Sequence, residues 1–186
     1  IFHKNNEIAG YAGVFHAMNL IVIDGNYGPN RKAVVLSFGS VSRGAIRALQ
    51  ASGVQDITVF TQRHYFLVAD QMAGVNYFQF DEDEQGNLLS LRPDQQSRPF
   101  VEELVDADII VNGILQDTDH PLMFVPEDQN HRLKSGCLII DVSCDEGMGF
   151  SFAKPTNFDA PIFKINQAYY YGVDHTPSYL WNSTSW

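Results

Sequence analysis

The chain has 186 residues, enough for one domain that buries roughly two-thirds to three-quarters of its unfolded surface without staples. Hydrophobic residues make up 45% and charged residues 18%, with a formal net charge of −10 and no basic cluster. That balance argues against a nucleic-acid partner, and no apolar run reaches the ~18 residues a membrane span needs.

Along the chain, residues 5–21 place Ile8, Tyr11, Ala12, Phe15 and Met18 at helical spacing, with Asn5 or Asn6 as the cap. This amphipathic start lacks the charged end and cleavage site of a secretory leader, so the cytoplasm is the expected location. Ala9, Gly10, Ala12 and Gly13 leave one side of the helix nearly bare, so another backbone is expected to pass close. A loop at 24–30 follows. The run 32–36 is a short buried strand, 37–44 a glycine- and serine-rich turn, 45–50 a helix closed by Gly53, and 56–60 a second strand.

Alternation continues with a short helix at 65–73, a strand at 75–80, and an exposed hairpin or loop at 81–98 that turns at Gln85-Gly86-Asn87. The acidic run Asp81-Glu82-Asp83-Glu84 reads as a solvated turn. A helix at 99–106, a strand at 108–112, a helix near 126–133 and a strand at 137–143 come next, then strand candidates at 161–165 and 169–173. The architecture this predicts is α/β, a Rossmann-type doubly wound parallel sheet with helices at 44–51 and 99–106 covering it. Cys137 and Cys144 have no metal-ligand spacing and read as buried reduced thiols, and the histidines share no ligand pattern.

The turn after the first strand carries the chemistry. A dinucleotide fingerprint wants glycine at 37, 39 and 42; the chain has Ser37, Gly39 and Ser42, with Ser40 and Val41 between them. One match in three is weak, but the turn leaves a buried strand and opens a helix whose N–H groups face an anion. The second strand ends Thr61-Gln62-Arg63 without the acid that grips an NAD ribose. Thr61 and Arg63 suit a 2′-phosphate instead, so NADP (NADPH) is expected in preference to NAD.

Three later segments, Ala107–Ile114, Gly136–Gly147 and Val173–Leu180, together resemble the C-terminal nucleotide-binding portion of the alanine dehydrogenase/pyridine nucleotide transhydrogenase superfamily. The runs Gly10–Val14 and Gly39–Ala45 are most similar to its carboxyethyl-ornithine synthase branch, and Asp174-His175-Thr176-Pro177-Ser178 also resembles the saccharopine dehydrogenases. The resemblance implies residues 1–30 as an interdomain linking helix and loop, 31–175 as the NAD(P)-binding domain, and 176–186 as the start of a return helix. It also implies a separate substrate domain and a homo-oligomer. We read the chain, which runs from Ile1 to Trp186, as a piece of a longer protein, its bare helix surface and Trp181 and Trp186 packing against another copy.

By the same resemblance, Ser37 to Ser42 lie at the pyrophosphate and Thr61, Gln62 and Arg63 at the adenosine ribose. Asn112, Gly113 and Ile114 run along the cofactor, while Asp145 and His175 fall near nicotinamide and substrate as the catalytic candidates. Asp141 reads as tied to a neighbouring loop or as functional, and His175 as structural or catalytic. The implied activity is an NAD(P)-dependent oxidoreductase acting on the CH–NH group of amino acids, joining a keto acid to an amino acid. The alternatives are an alanine dehydrogenase or a non-catalytic NADP-binding module.

Overall fold

The computed structural model describes residues 2–94 and 96–180. Two α-helices, α1 (Phe2–Leu20) and α2 (Ser40–Ala51), accompany eleven strands among these residues. They are β1 (Lys32–Leu36), β2 (Asp56–Thr61), β3 (Val75–Glu82), β4 (Leu88–Leu91), β5 (Arg98–Pro99), β6 (Ile109–Asn112), β7 (Met123–Val125), β8 (Leu138–Asp141), β9 (Gly149–Phe150), β10 (Ile162–Ile165) and β11 (Ala168–Tyr171).

Nine strands form one sheet in the order β10-β11-β8-β6-β1-β2-β3-β4-β5, and β7 pairs with β9 separately. The six strands from β11 to β3 run parallel, in the order of two mononucleotide-binding halves that meet at β1 and β6. Near-continuous buried runs make the inner four, β8, β6, β1 and β2, because both their faces are covered, whereas β3 is interrupted by Asn76 and Gln79. One face, with Val35, Val59, Val111 and Ile140, packs on Val14, Ala17 and Met18 of α1 and on Ile46 and Leu49 of α2. The other, with Val34, Leu36, Ile110 and Ile139, packs on Phe100, Leu104, Phe124 and Phe150. Antiparallel strands close both edges, β10 on one side and the hairpin of β4 and β5 on the other.

The parallel core and the hairpin at 85–87 follow the sequence expectations; the helices on the second face do not. The segment 99–106 forms only a 3-10 turn at Phe100–Glu103, because it starts at Pro99 and turns Glu103 inward to an ion-pair cluster. The segment near 126–133 is a 3-10 turn at Glu127–Arg132 with no buried residue, lacking the apolar stripe that would hold an α-helix down. The helix expected at 65–73 stops after Tyr65–Leu67, and Asp70 takes a left-handed φ of 53°.

Helix α1 begins at Phe2, before the expected asparagine cap. Its buried side is Gly10, Ala12, Gly13, Val14, Ala17 and Met18, while Phe15 of the expected stripe is exposed. The backbone that passes its bare surface is α2 of the same chain, which corrects the expectation of a second copy there. A Cβ on Gly10 would sit 1.9 Å from the Val41 carbonyl oxygen, and one on Gly44 1.8 Å from that of Glu7. The segment from 176 forms a 3-10 turn at Thr176–Leu180, and Thr176 Oγ1 donates to the Ala9 carbonyl at 2.9 Å. Trp181 and Trp186 lie outside the described residues. Cys137 and Cys144 are free and buried. Among the described residues no helix is long and apolar enough to cross a membrane.

Candidate nucleotide cleft

A doubly wound sheet opens a crevice beyond the carboxyl ends of its strands where the strand order reverses, here between β1 and β6. A cleft of about 440 Å³ lies at that place, and Ser37, Gly39, Arg43, Thr61, Gln62, Arg63, Gly113 and Ile114 help to line it. Seven of these eight are residues the sequence singled out, brought together from the ends of β1, β2 and β6.

Gly39 caps α2 with extended backbone and no side-chain cap, so the first amide groups of the helix face the opening. A Cβ built on Gly39 meets nothing within 4 Å. Ser37 holds a left-handed φ of 79°, the conformation for which glycine is the usual choice at this point of the fingerprint. Ser42 is fully buried beneath the turn, its hydroxyl 2.9 Å from that of Ser37 and 3.4 Å from the Leu36 carbonyl oxygen. The serine pair thus keeps the turn closed where glycines would leave it bare. Ser40 and Val41 are half-exposed at the start of α2, with the Val41 backbone against Gly10 and its side chain close to Gly113.

The end of the cleft beside β2 is basic. Thr61 is buried at the end of β2 and its Oγ1 accepts the Arg63 amide at 2.9 Å, which turns the chain and leaves Arg63 exposed. Arg43 was not singled out from the sequence, although it directly follows Ser42 in the fingerprint turn. Its guanidinium stacks on Phe38 at 4.1 Å and donates to the carbonyls of Ala69 and Asp70, both at 2.9 Å. Among the described residues neither arginine pairs with a carboxylate. Val68 and Ala69 also line the cleft and had no signal, because the segment after β2 read as a helix; Leu115, beyond Ile114 after β6, lines it too.

The far end is acidic. Asn112 is fully buried and does not line the cleft; its Nδ2 donates to Asp141 Oδ1 at 3.1 Å and its Oδ1 accepts the Ile114 amide at 3.1 Å. Asp141 also accepts the Cys144 amide at 3.0 Å and the Tyr170 hydroxyl at 2.8 Å. Burial pushes its carboxyl up to about 6 against these hydrogen bonds. Burial, with Asp141, Asp174 and Asp145 nearby, pushes the Cys144 thiol up to about 12, so it stays protonated and inert. Asp145 is half-buried in the loop after β8. His175 is exposed after β11 with a φ of 57°, and its imidazole Nε2 lies 3.4 Å from Asp174 Oδ2. Both stand along the same sheet edge as the cleft without lining it.

Comparison with known proteins agrees with this architecture. The family model "Alanine dehydrogenase/PNT, C-terminal domain" matches residues 9–185. An N(5)-(carboxyethyl)ornithine synthase from Clostridium botulinum is 30% identical over 98% of this chain and 46% of its own length. An alanine dehydrogenase from Mycolicibacterium smegmatis is 23% identical over 78% of this chain and 36% of its own. The structure of an L-alanine dehydrogenase superposes with a TM-score of 0.68 at 18% identity, covering 98% of this chain and 50% of that one. A transhydrogenase from Sinorhizobium meliloti gives 0.64 at 15%, over 95% and 49%. The chain spans about half the length of such relatives. A match across nearly every residue, on a Rossmann-type sheet with its cleft at the reversal of strand order, makes this chain a member of the alanine dehydrogenase/PNT C-terminal domain family.

Proposed function

We propose that the cleft binds a nicotinamide dinucleotide, NADPH in preference to NADH, and that the chain is the nucleotide-binding part of an amino-acid oxidoreductase acting on a CH–NH group. The observation that carries the reading is the open space over Gly39 at the start of α2, where a pyrophosphate can approach the backbone amides. The groups available fit such a ligand. The amides from Gly39 to Val41 would hold the pyrophosphate above the buried Ser42, and Thr61, Gln62, Arg63 and Arg43 the phosphorylated ribose. Gly113 and Ile114 would flank the chain of the cofactor towards the acidic end. When bound, the dinucleotide supplies hydride transfer. Asp145 and His175 would manage the proton at the substrate.

The likeness to carboxyethyl-ornithine synthases supports a keto acid and an amino acid as the substrates. An alanine dehydrogenase and a non-catalytic NADP-binding module are the competing readings. Residues 1–30 would then link this domain to a substrate domain, 31–175 form the nucleotide domain and 176–186 begin a return helix, in a homo-oligomer. The described residues offer no basic cluster in the cleft beyond Arg43 and Arg63, so grip on a keto-acid carboxylate is assigned to the substrate domain.

Titration calorimetry of the chain with NADP⁺ and NAD⁺ tests the binding. Gly39→Ala should leave the melting temperature unchanged and weaken both nucleotides about tenfold or more, roughly 1.4 kcal/mol. Arg63→Ala should cost NADP⁺ ~1.5–3 kcal/mol, ten- to a hundred-fold, and leave NAD⁺ nearly untouched. Equal binding by wild type and Gly39→Ala would overturn the placement. Equal affinities for the two nucleotides in wild type would remove the NADP preference. Turnover is expected only when the chain is part of a protein carrying the substrate domain, with pyruvate and an amino acid. NADPH oxidation by these 186 residues alone would reject that division of labour.

A further inference from the structure

We propose that Asp141 is a positioning residue of the cleft. Its buried carboxylate holds the wall at Gly113 and Ile114 through Asn112, and the turn carrying Asp145 through the Cys144 amide. The inference rests on the nucleotide reading above.

Asp141 ends β8, level with Asn112 at the end of β6 in the parallel register. Its Oδ1 accepts both the Asn112 amide at 3.1 Å and the Cys144 N–H at 3.0 Å, and its Oδ2 accepts the Tyr170 hydroxyl at 2.8 Å. Asn112 passes the restraint on, because its own Oδ1 holds the Ile114 amide at 3.1 Å. A second tie runs from the Ser143 hydroxyl to the Ile114 carbonyl, so the loops after β6 and β8 are laced together. One carboxyl therefore fixes one wall of the cleft and the turn that presents Asp145.

A buried charge is a costly way to end a strand, since an apolar side chain of like volume would serve the fold at least as well. What the carboxylate adds is a strong acceptor for three donors at once. The titratable groups facing it are Tyr170 from β11 and Cys144 and Asp145 from the following loop. Burial and Asp141 raise the Tyr170 hydroxyl, and Cys144 sits near 12, so both remain protonated. Asp141 itself, pushed by burial to about 6, changes state between pH 5 and 7. Protonation turns one acceptor oxygen into a donor and leaves the other a neutral, weaker acceptor, so the Asn112 and Cys144 bonds to Oδ1 and the Ile114 loop loosen. The sign is fixed: the wall is held best above pH 6 and slackens below it.

The test follows the ¹⁵N amide resonances of Ile114 and Cys144 in the whole chain from pH 5 to 8, with NADP⁺ and NAD⁺ affinities by calorimetry over the same range. Both amides should titrate together with a midpoint near 6, and NAD⁺, which lacks a titrating 2′-phosphate, should bind about three- to tenfold more weakly at pH 5 than at 7.5. Asp141→Asn, isosteric and uncharged, should abolish the titration of both amides and bind at the low-pH affinity throughout. Asn112→Ala should weaken nucleotide binding about tenfold yet leave the Cys144 amide titrating. Amides that stay still in wild type, or Asp141→Asn binding like wild type at every pH, would overturn the proposal. Titrating amides in a wild-type chain that binds neither nucleotide would instead remove the nucleotide reading, and the positioning role with it.

Discussion

Replacing Glu103 with alanine should lower the stability of the domain by about 3–5 kcal/mol, the cost of breaking a buried ion pair. The carboxylate is wholly buried. Its Oε1 accepts Ser90 Oγ at 2.9 Å, Arg92 Nε at 3.1 Å and Arg98 Nε at 3.0 Å, and its Oε2 accepts Arg92 Nη2 at 2.7 Å. Arg92 also stacks on Phe78 at 4.2 Å. These donors come from β4, β5 and the residue after β4, so one side chain pins the whole hairpin at 81–98 to the core. Burial pushes the Glu103 carboxyl up, but the hydrogen bonds from Arg92, Ser90 and Arg98 outweigh it and hold it below the ordinary carboxylate range. A depressed pKa gives stability that is present above the unfolded value and lost as pH falls through the folded one. The gap between wild type and Glu103→Ala should therefore be full at pH 7 and shrink below about pH 4. Urea denaturation at both pH values measures it, and a difference under about 1 kcal/mol at pH 7 would contradict the assignment.

Gly44→Ala should be comparably severe, about 3 kcal/mol, at the upper end of overpacking costs. Its Cβ would meet the Glu7 carbonyl oxygen at 1.8 Å and its carbon at 2.7 Å, backbone atoms that cannot swing aside. The helices must part, and the first turn of α2 carries Val41 and the amides beside the cleft. In a chain of this length the melting temperature should drop by about 6–12 °C, and nucleotide affinity should fall with it. An unchanged melting temperature would mean that α1 and α2 are not in backbone contact.

The inner parallel strands were readable because they are near-continuous apolar runs between turn residues, as in Ala33–Leu36 and Leu138–Ile140. The close pass at Gly10 was readable for the same kind of reason: nothing else accounts for small residues in mid-helix. Its partner was not, since whether α2 or another copy fills that side is decided by tertiary geometry. The second face misled, because Phe100, Val101 and Leu104 fit helical spacing, yet Pro99 and the inward Glu103 leave room for one 3-10 turn. In the cleft, Ser37, Gly39, Thr61 and Arg63 could be placed by their offsets from strand ends. Asn112 has the right offset but faces inward to Asp141, a direction that offset alone does not carry. Arg43 was hidden on a helix, where an arginine normally marks a solvated face.

The two borders of the sheet bear on how the protein behaves at high concentration. One ends in β5, a strand of two residues whose Pro99 has no N–H to offer; the other ends in β10, with Lys164 exposed along it. An incoming strand finds little open ladder on the first side and must bury an ammonium group on the second. The apolar core strands lie at least two strands in from either border, since β11 and β4 are paired on both sides. Cross-chain strand addition, the usual route from an aggregation-prone parallel sheet to fibres, is thus blocked at both ends while the domain stays folded.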